Sequence, residues 1–329
     1  MPSLTLDAPS AQAEGRLWAV RLAPGASAPQ PVELPLDAGP GWVWIHFDLV
    51  NANARQGLLR CSLPGPVASM FLELDETPRI IAEDGWLAGV LPDFEHSTEK
   101  DEVRTGALRF FLGENVLVSG RRQALRGPHE VWRSVSQGNL PSRADAAFQR
   151  LRRAFLDEGA RLAGVLQSDL DRVEDDLLET EGQSRRRTRA AALLGRVRQR
   201  ITRLQRATKP LARLTIADGT PAWLDRDGME ALHRRTLGVL DDLGAVQDRS
   251  HALQDELEAR SNEETNRRLY LLSVLTAILA PTTLITGFFG MNTGGLPWTQ
   301  TVHGTILATG LLGSAVGLML WILRRNGML

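Results

Sequence analysis

Leu269-Tyr-Leu-Leu-Ser-Val-Leu-Thr-Ala-Ile-Leu-Ala-Pro-Thr-Thr-Leu-Ile-Thr-Gly-Phe-Phe289 opens a long run, ending at Leu323, without a lysine, arginine, aspartate or glutamate. A helix needs about 20 apolar residues to cross a bilayer. The run holds two such stretches, 269–289 and 302–323. Between them, Gly290-Met-Asn-Thr-Gly-Gly-Leu-Pro-Trp-Thr-Gln-Thr301 is a turn-rich loop. Arg267-Arg268 and Arg324-Arg325 flank the run. Basic residues concentrate on the cytoplasmic side, so the pattern predicts a two-span hairpin with both chain ends in the cytoplasm. Tyr270 and Trp321 then fall at the inner interface and Trp298 at the outer one, where amphipathic rings collect. The opening Met1-Pro-Ser-Leu-Thr-Leu-Asp7 has no basic region and no apolar core, so no signal peptide is expected.

The remainder has a different composition. Over 329 residues the net charge is −1, with 43% hydrophobic and 23% charged residues. That excludes a disordered chain, a many-helix membrane protein and a generally basic nucleic-acid binder. Residues 265–329 carry four arginines and no acid, hence +4, which leaves 34 basic and 39 acidic residues, hence −5, in 1–264. One cysteine, Cys61, excludes a disulfide framework and a cysteine zinc site within one chain.

Residues 1–142 read as a cytoplasmic α/β domain. Trp42-Val-Trp-Ile-His-Phe-Asp48 is a dense β-branched and aromatic run, a core strand. Glu83–Val90 and Ala107–Val118 also read as strands, the latter folded at Gly113-Glu-Asn115. Long helices follow over 143–222. Leu151, Phe155, Leu162, Val165, Leu166, Leu170, Val173 and Leu177 recur at threes and fours. Gly182 breaks that helix, and a second runs from Ser184 to Leu214 with Leu193, Val197, Ile201 and Leu204 on one face. A third carries Met229, Leu232, Leu240, Leu243, Val246, Leu253 and Leu257. No proline lies between Pro221 and Pro281, so this stalk (223–268) continues into the first span (269–289) as one helix from about Asp227 to Phe289. At 1.5 Å per residue it is roughly 95 Å long, and such a helix needs partners from its own chain or from other copies. The fold expected is an α+β cytoplasmic domain, a long stalk helix, a two-helix membrane hairpin with its outer loop at 290–301, and a basic tail at 324–329.

Down the first span, Asn266, Ser273, Thr276, Ala280, Thr283 and Gly287 recur at spacings of 7, 3, 4, 3 and 4, which marks one helical face. Two readings stand. The hydroxyls bond to the carbonyl one turn earlier and the small residues pack on another helix. Alternatively the face lines a pore, where hydroxyls and a carboxamide bond to water around an ion without trapping it. Pro281 removes one helical hydrogen bond and frees the carbonyl of Ala277 near that face. In the second span, Gly313-Ser-Ala-Val-Gly317 is read as close packing against another span.

Gly290-Met291-Asn292, placed at the end of the first of two C-terminal spans, resembles the signature of the 2-TM-GxN divalent cation transporters, the CorA-type family. Pro281-Thr-Thr-Leu284 and Thr286-Gly-Phe-Phe-Gly-Met-Asn292 agree with it. The resemblance implies a CorA-like homopentamer in a bacterial inner membrane, the first span of each copy lining one central pore. By the same resemblance, Asn266 and Asn292 form inner and outer polar rings, and Leu269 and Leu272 a hydrophobic gate that closes by dewetting. After Asn292 the chain reads Thr293-Gly-Gly-Leu-Pro-Trp298, which looks like the zinc-transporting ZntB branch; magnesium-type members usually carry acids there. The implied function is proton-coupled zinc import, with other copies of the chain, lipid and the transported cation (zinc, magnesium or cobalt) as partners. The alternatives are a magnesium/cobalt channel and, in another class, a membrane-anchored cytoplasmic sensor or scaffold. Zinc prefers imidazole or thiolate, and the predicted pore face offers neither.

His303 is, besides Tyr270, the only titratable side chain in the charge-free run. It reads as an interfacial residue or as a metal or proton contact. Asp93-Phe-Glu-His96-Ser-Thr-Glu99-Lys-Asp101-Glu102, carboxylates around a histidine, reads as solvated loop or as a regulatory cation site through Asp93 and His96. Asp169, Asp171, Glu174, Asp175, Asp176 and Glu179 read as a charged face or as a cation site between copies. His46 is expected in the core. No phosphate-binding loop, dinucleotide fingerprint, zinc-protease helix or nucleophile elbow is present, so an enzyme is not expected and no bound cofactor is implied.

Overall fold

The computed structural model describes residues 14–23, 26, 28–34, 36, 39–83, 85–96, 104–178, 183–213, 220–290 and 302–325. Its strands are β1 (Arg16–Leu22), β2 (Gln30–Pro31), β3 (Trp42–Asp48), β4 (Arg79–Glu83), β5 (Trp86–Phe94), β6 (Thr105–Gly113) and β7 (Val116–Arg121). They form one sheet in the order β2-β1-β3-β7-β6-β5-β4. Only β3 and β7 run parallel.

The dense run Trp42–Asp48 is central and covered on both faces, which is why it reads as continuously apolar. Side chains alternate across a strand. Val43, Ile45 and Phe47 enter a core with Leu58 of α1 (Ala54–Arg60) and with Val67, Met70 and Phe71 of α2 (Gly65–Leu72). Trp42 and Trp44 occupy the other face, where their ring N–H groups donate to Pro141 O and to Ser119 Oγ, each at 2.9 Å. That face is covered by α3 (Arg126–Ser136) and α4 (Ala144–Leu178). Phe94 stacks on Phe155 at 4.7 Å and Phe110 meets Phe148 at 4.5 Å. The result is three layers, helices over sheet over helices.

The expected strand 83–90 is corrected. It spans the last residue of β4, the hairpin turn and the first half of β5, with Gly85 at φ +83°, a left-handed backbone that glycine adopts without strain. The sequence pattern does not reveal β1, β2, β4 or α1–α3.

The long helices are α4, α5 (Gln183–Arg213), α6 (Arg226–Gly290) and α7 (Val302–Arg325). Residues 1–254 form one compact unit and 255–329 a second, and α6 begins in the first and continues in the second. In the first unit α6 finds partners within its own chain. Met229, Leu232, Val239, Leu243, Val246 and Leu253 are buried. Gln149 Nε2 donates to Asp225 Oδ2 at 3.1 Å, and Gln205 Nε2 to Gln247 Oε1 at 2.7 Å. Two seam positions shift by one residue, Leu194 replacing Leu193 and Val239 replacing Leu240; of Val165 and Leu166, both expected on the stripe, Leu166 is buried and Val165 is 40% exposed.

One charged side chain is fully inside. Arg109 of β6 donates from Nε to Met70 O at 3.2 Å and from Nη2 to Glu73 O at 2.9 Å and Asp75 O at 3.1 Å. It therefore satisfies carbonyls at and just beyond the C-terminal end of α2, which the helix itself leaves open. Arg109→Met removes three N–H donors and takes a partner from Met70 O in the interior, while Glu73 O keeps Arg122 Nη2 at 3.1 Å. A loss of about 3 kcal/mol is expected in chemical unfolding. Arg109→Lys restores little, because an ammonium lacks the planar fork. Equal stability of wild type and Arg109→Met would show that the buried guanidinium contributes no net anchoring.

Candidate functional site

Beyond Asn266, α6 changes character. Leu271, Leu275, Leu279, Leu284 and Phe288 are 50–74% exposed. Among the described residues α6 is the one helix long and apolar enough to cross a bilayer, and none of that stretch is buried in the chain. The polar face is exposed as well: Asn266, Ser273, Thr276, Ala280, Thr283 and Gly287 are all open. Leu269 and Leu272 lie on or beside the same face and are 55% and 60% exposed. The structure thus brings the expected pore lining and the expected gate onto one uncovered side of one helix.

The threonine hydroxyls have a defined polarity. Thr276 Oγ1 donates to Leu272 O at 2.8 Å and Thr283 Oγ1 to Leu279 O at 2.9 Å. Thr282 and Thr286 do the same one turn back, to Ile278 O and Thr282 O. The first sequence reading of the stripe therefore holds for the protons of Thr276 and Thr283. It leaves the oxygens as acceptors only. A row of acceptors without donors suits water oriented around a cation.

Gly290 ends α6. Met291, Asn292 and the loop to Thr301 lie outside the described residues, as does the side chain of His303, which is near the start of α7. α7 ends on Arg324 and Arg325, and the Arg325 guanidinium lies 5.2 Å over the Trp321 ring. One face of each helix in this unit is half-buried: Val274, Ala277, Ile278, Pro281 and Ile285 on α6, and Leu312, Ala315, Val316 and Met319 on α7. Gly313 and Gly317 are outside that face. Nothing described lies within 4 Å of a Cβ built on either, so the close packing read from this pair is not made by the chain's own described residues.

The cytoplasmic candidates resolve differently. Four of the α4 acids pair with basic residues of the same chain: Asp169 with Arg172 at 3.0 Å and Arg200 at 3.6 Å, Asp171 and Glu174 with Arg249, Asp176 with Arg186 at 3.7 Å; Asp175 is not among these pairs. Glu179 lies outside the described residues. His46 is in the core as expected, its Nδ1 2.8 Å from Ser119 Oγ and its ring stacked on Trp18 at 4.4 Å. Burial, then the Arg121 charge, lowers its pKa well below the ordinary value, so the imidazole is neutral.

Asp93 and His96 do not converge. The Asp93 carboxylate is buried, accepting from Phe94 N at 2.8 Å and from Gly127 N, in the first turn of α3, at 2.9 Å. It caps that helix. A Cβ at Gly127 would meet Asp93 Oδ2 at 2.7 Å, so glycine is what lets the carboxylate approach. His96 is exposed and faces His129 instead. His129 is distant from His96 in the chain, and no local pattern in the sequence marks it.

Burial raises the Asp93 pKa to about 7, against the two backbone hydrogen bonds. A folded-state pKa above the unfolded one contributes stability that is complete below the unfolded value and is lost as pH rises through the folded one. The margin of wild type over Asp93→Asn in thermal unfolding should therefore shrink between about pH 5 and about pH 8. A margin independent of pH in that window would contradict the buried, titrating carboxyl.

Residues 39–325 match the family described as CorA-like Mg2+ transporter protein. The zinc transport protein ZntB of Pectobacterium atrosepticum is 27% identical over 289 residues, 86% of each chain. The divalent cation transporter CmaX of Pseudomonas aeruginosa is 27% identical over 295 residues, again 86% of each. The structure of a full-length CmaX protein superposes with a TM-score of 0.77 at 24% identity, covering 95% of this chain and 98% of that one.

Proposed function

Because the chain belongs to the CorA-like Mg2+ transporter family, we propose that it carries divalent cations across a bilayer through a pore lined by the first span. The observation that carries the reading is the exposed face of α6. Its threonine oxygens are held as acceptors, and it stands in a run without a charged residue that contains Gly290-Met-Asn292. One copy cannot enclose a pore with one helix face, so the proposal includes a homopentamer around that face. The half-buried faces of α6 and α7 support a hairpin, and the flanking pairs Arg267-Arg268 and Arg324-Arg325 support placing both termini in the cytoplasm of a bacterial inner membrane.

Zinc is the proposed cargo. The loop after Asn292 has no carboxylate, which weakens the field that collects hard cations at a mouth, and ZntB proteins are among the relatives. With no imidazole or thiolate on the pore face, zinc passes as a hydrated ion held by oxygen acceptors. No nucleotide-binding loop is present in the sequence, so the driving force is a gradient. A dication moving inward across 100 mV gains about 4.6 kcal/mol. Within the charge-free run only His303 could relay a proton, so coupling runs through His303, through pore water or through groups outside the bilayer.

Uptake into proteoliposomes with and without a pH gradient tests this. Zinc flux above magnesium flux, raised by an inward proton gradient, is expected, and Asn292→Ala should abolish it while the pentamer persists. Unchanged fluxes in that variant would leave the hairpin an anchor, and magnesium flux alone would overturn the zinc assignment.

Leu272→Ser addresses the gate. Five leucines around a narrow neck expel water; a hydroxyl there should wet it and raise basal leak without altering ion preference. If Leu272 instead packs in a protein interface, truncation costs roughly 2–5 kcal/mol and the pentamer dissociates on size-exclusion chromatography. An intact pentamer with unaltered leak would end the gate assignment.

A further inference from the structure

The end of β5 and the start of α3 are locked together by backbone. Glu95 bridges Leu125, His96 N–H donates to Ala124 O at 2.7 Å, and Gly127 N–H donates to the Asp93 carboxylate. The lock sets two imidazoles side by side. His96 follows β5, and His129 lies in the first turn of α3. Their ring centres are 4.6 Å apart with a tilt of 32°. Both side chains are exposed, and both line a shallow concavity of about 60 Å3 with Trp18, Arg121 and Pro128.

Imidazole is a preferred ligand of borderline dications, whereas magnesium and calcium seek oxygen. Two imidazole nitrogens at about 2.0–2.1 Å from one zinc ion place the ring centres roughly 4.5–5 Å apart. The observed separation meets that requirement, and the concavity has room for an ion and water. Asp93 is no ligand, since both its oxygens accept from backbone.

We propose that His96 and His129 together bind a transition-metal dication of the zinc class on the cytoplasmic domain, with water completing its shell. Among the described residues no group of three or more histidine, cysteine or carboxylate side chains could hold a metal. The site therefore has two protein ligands and exchanges its ion; structural zinc sites are closed by four. It rests on geometry in the first unit and stands whether or not the chain transports zinc.

The test uses the full chain in detergent. Zinc binding is read by competition with a chromophoric chelator, and ligation by the visible spectrum of bound cobalt. His129→Ala and His96→Gln should each lower the affinity of one zinc equivalent per chain by about tenfold or more, change the cobalt spectrum and leave magnesium binding as in wild type. His251→Ala, a control away from the site on α6, should bind as wild type. Unchanged zinc affinity and cobalt spectrum in both variants, or an effect in only one, would overturn the shared site.

Discussion

Apolar surface left uncovered is the constraint on which the C-terminal unit depends. Beyond Asn266, α6 exposes Leu271, Leu275, Leu279, Leu284 and Phe288, each worth about 1.5–3 kcal/mol when removed from water. Lipid or further copies of the chain must cover them. In hydrocarbon, polar groups must in turn be satisfied inside the protein or by water in a cavity. Thr276 and Thr283 satisfy half of that demand by donating to their own backbone. Their oxygens still seek donors, and Asn266 and Ser273 lie on the same face. One surface thus has to face lipid while another has to face water, and a pore shared between copies meets both demands.

The cytoplasmic unit solves a different problem, holding the first part of α6 with its own chain. α4 and α5 bury its apolar stripe, and ion pairs such as Arg249 with Asp171 and Glu174 flank it. Those two carboxylates are engaged by one guanidinium group of the same chain. Behind them, the sheet is fixed by β3, whose two faces feed separate cores. Arg109 ties the sheet to the end of α2. The neighbouring strand β5, through Asp93 and Gly127, positions α3 and with it His129.

The membrane run and Gly290-Met-Asn292 could be read directly, because absence of charge from Leu269 to Leu323 needs no tertiary context. The helical seams were legible to within one residue. The misses fall in adjacent apolar pairs: the seam holds Leu194 in place of Leu193 and Val239 in place of Leu240, and of Val165 and Leu166, both on the expected stripe, only Leu166 is buried. Neighbours differ by about 100° around a helix, and only the packed partner decides which of them turns inward. β4 escaped because an edge strand of half-exposed residues has weak alternation. Arg109 carried a faint signal, a charge inside Leu108-Arg-Phe110, but its carbonyl partners Met70, Glu73 and Asp75 are remote in the chain. The pairing of Asp93 with His96 failed for a similar reason. Both ligand geometry and helix capping were set by α3, which begins only at Arg126.

The central claim is that one face of α6 meets water in the assembled protein. The chain favours a direct measurement, since its one cysteine, Cys61, has its thiol pushed up to about 12 by burial and is a poor nucleophile. Single cysteines at Ser273, Thr276 and Thr283, and at Leu271, Ile278 and Ile285 on the opposite side, can be treated with a charged thiol reagent in liposomes while cation flux is followed. The account predicts modification and block of flux at the first three positions and neither at the last three. Equal labelling of both faces, or block confined to the apolar one, would contradict it.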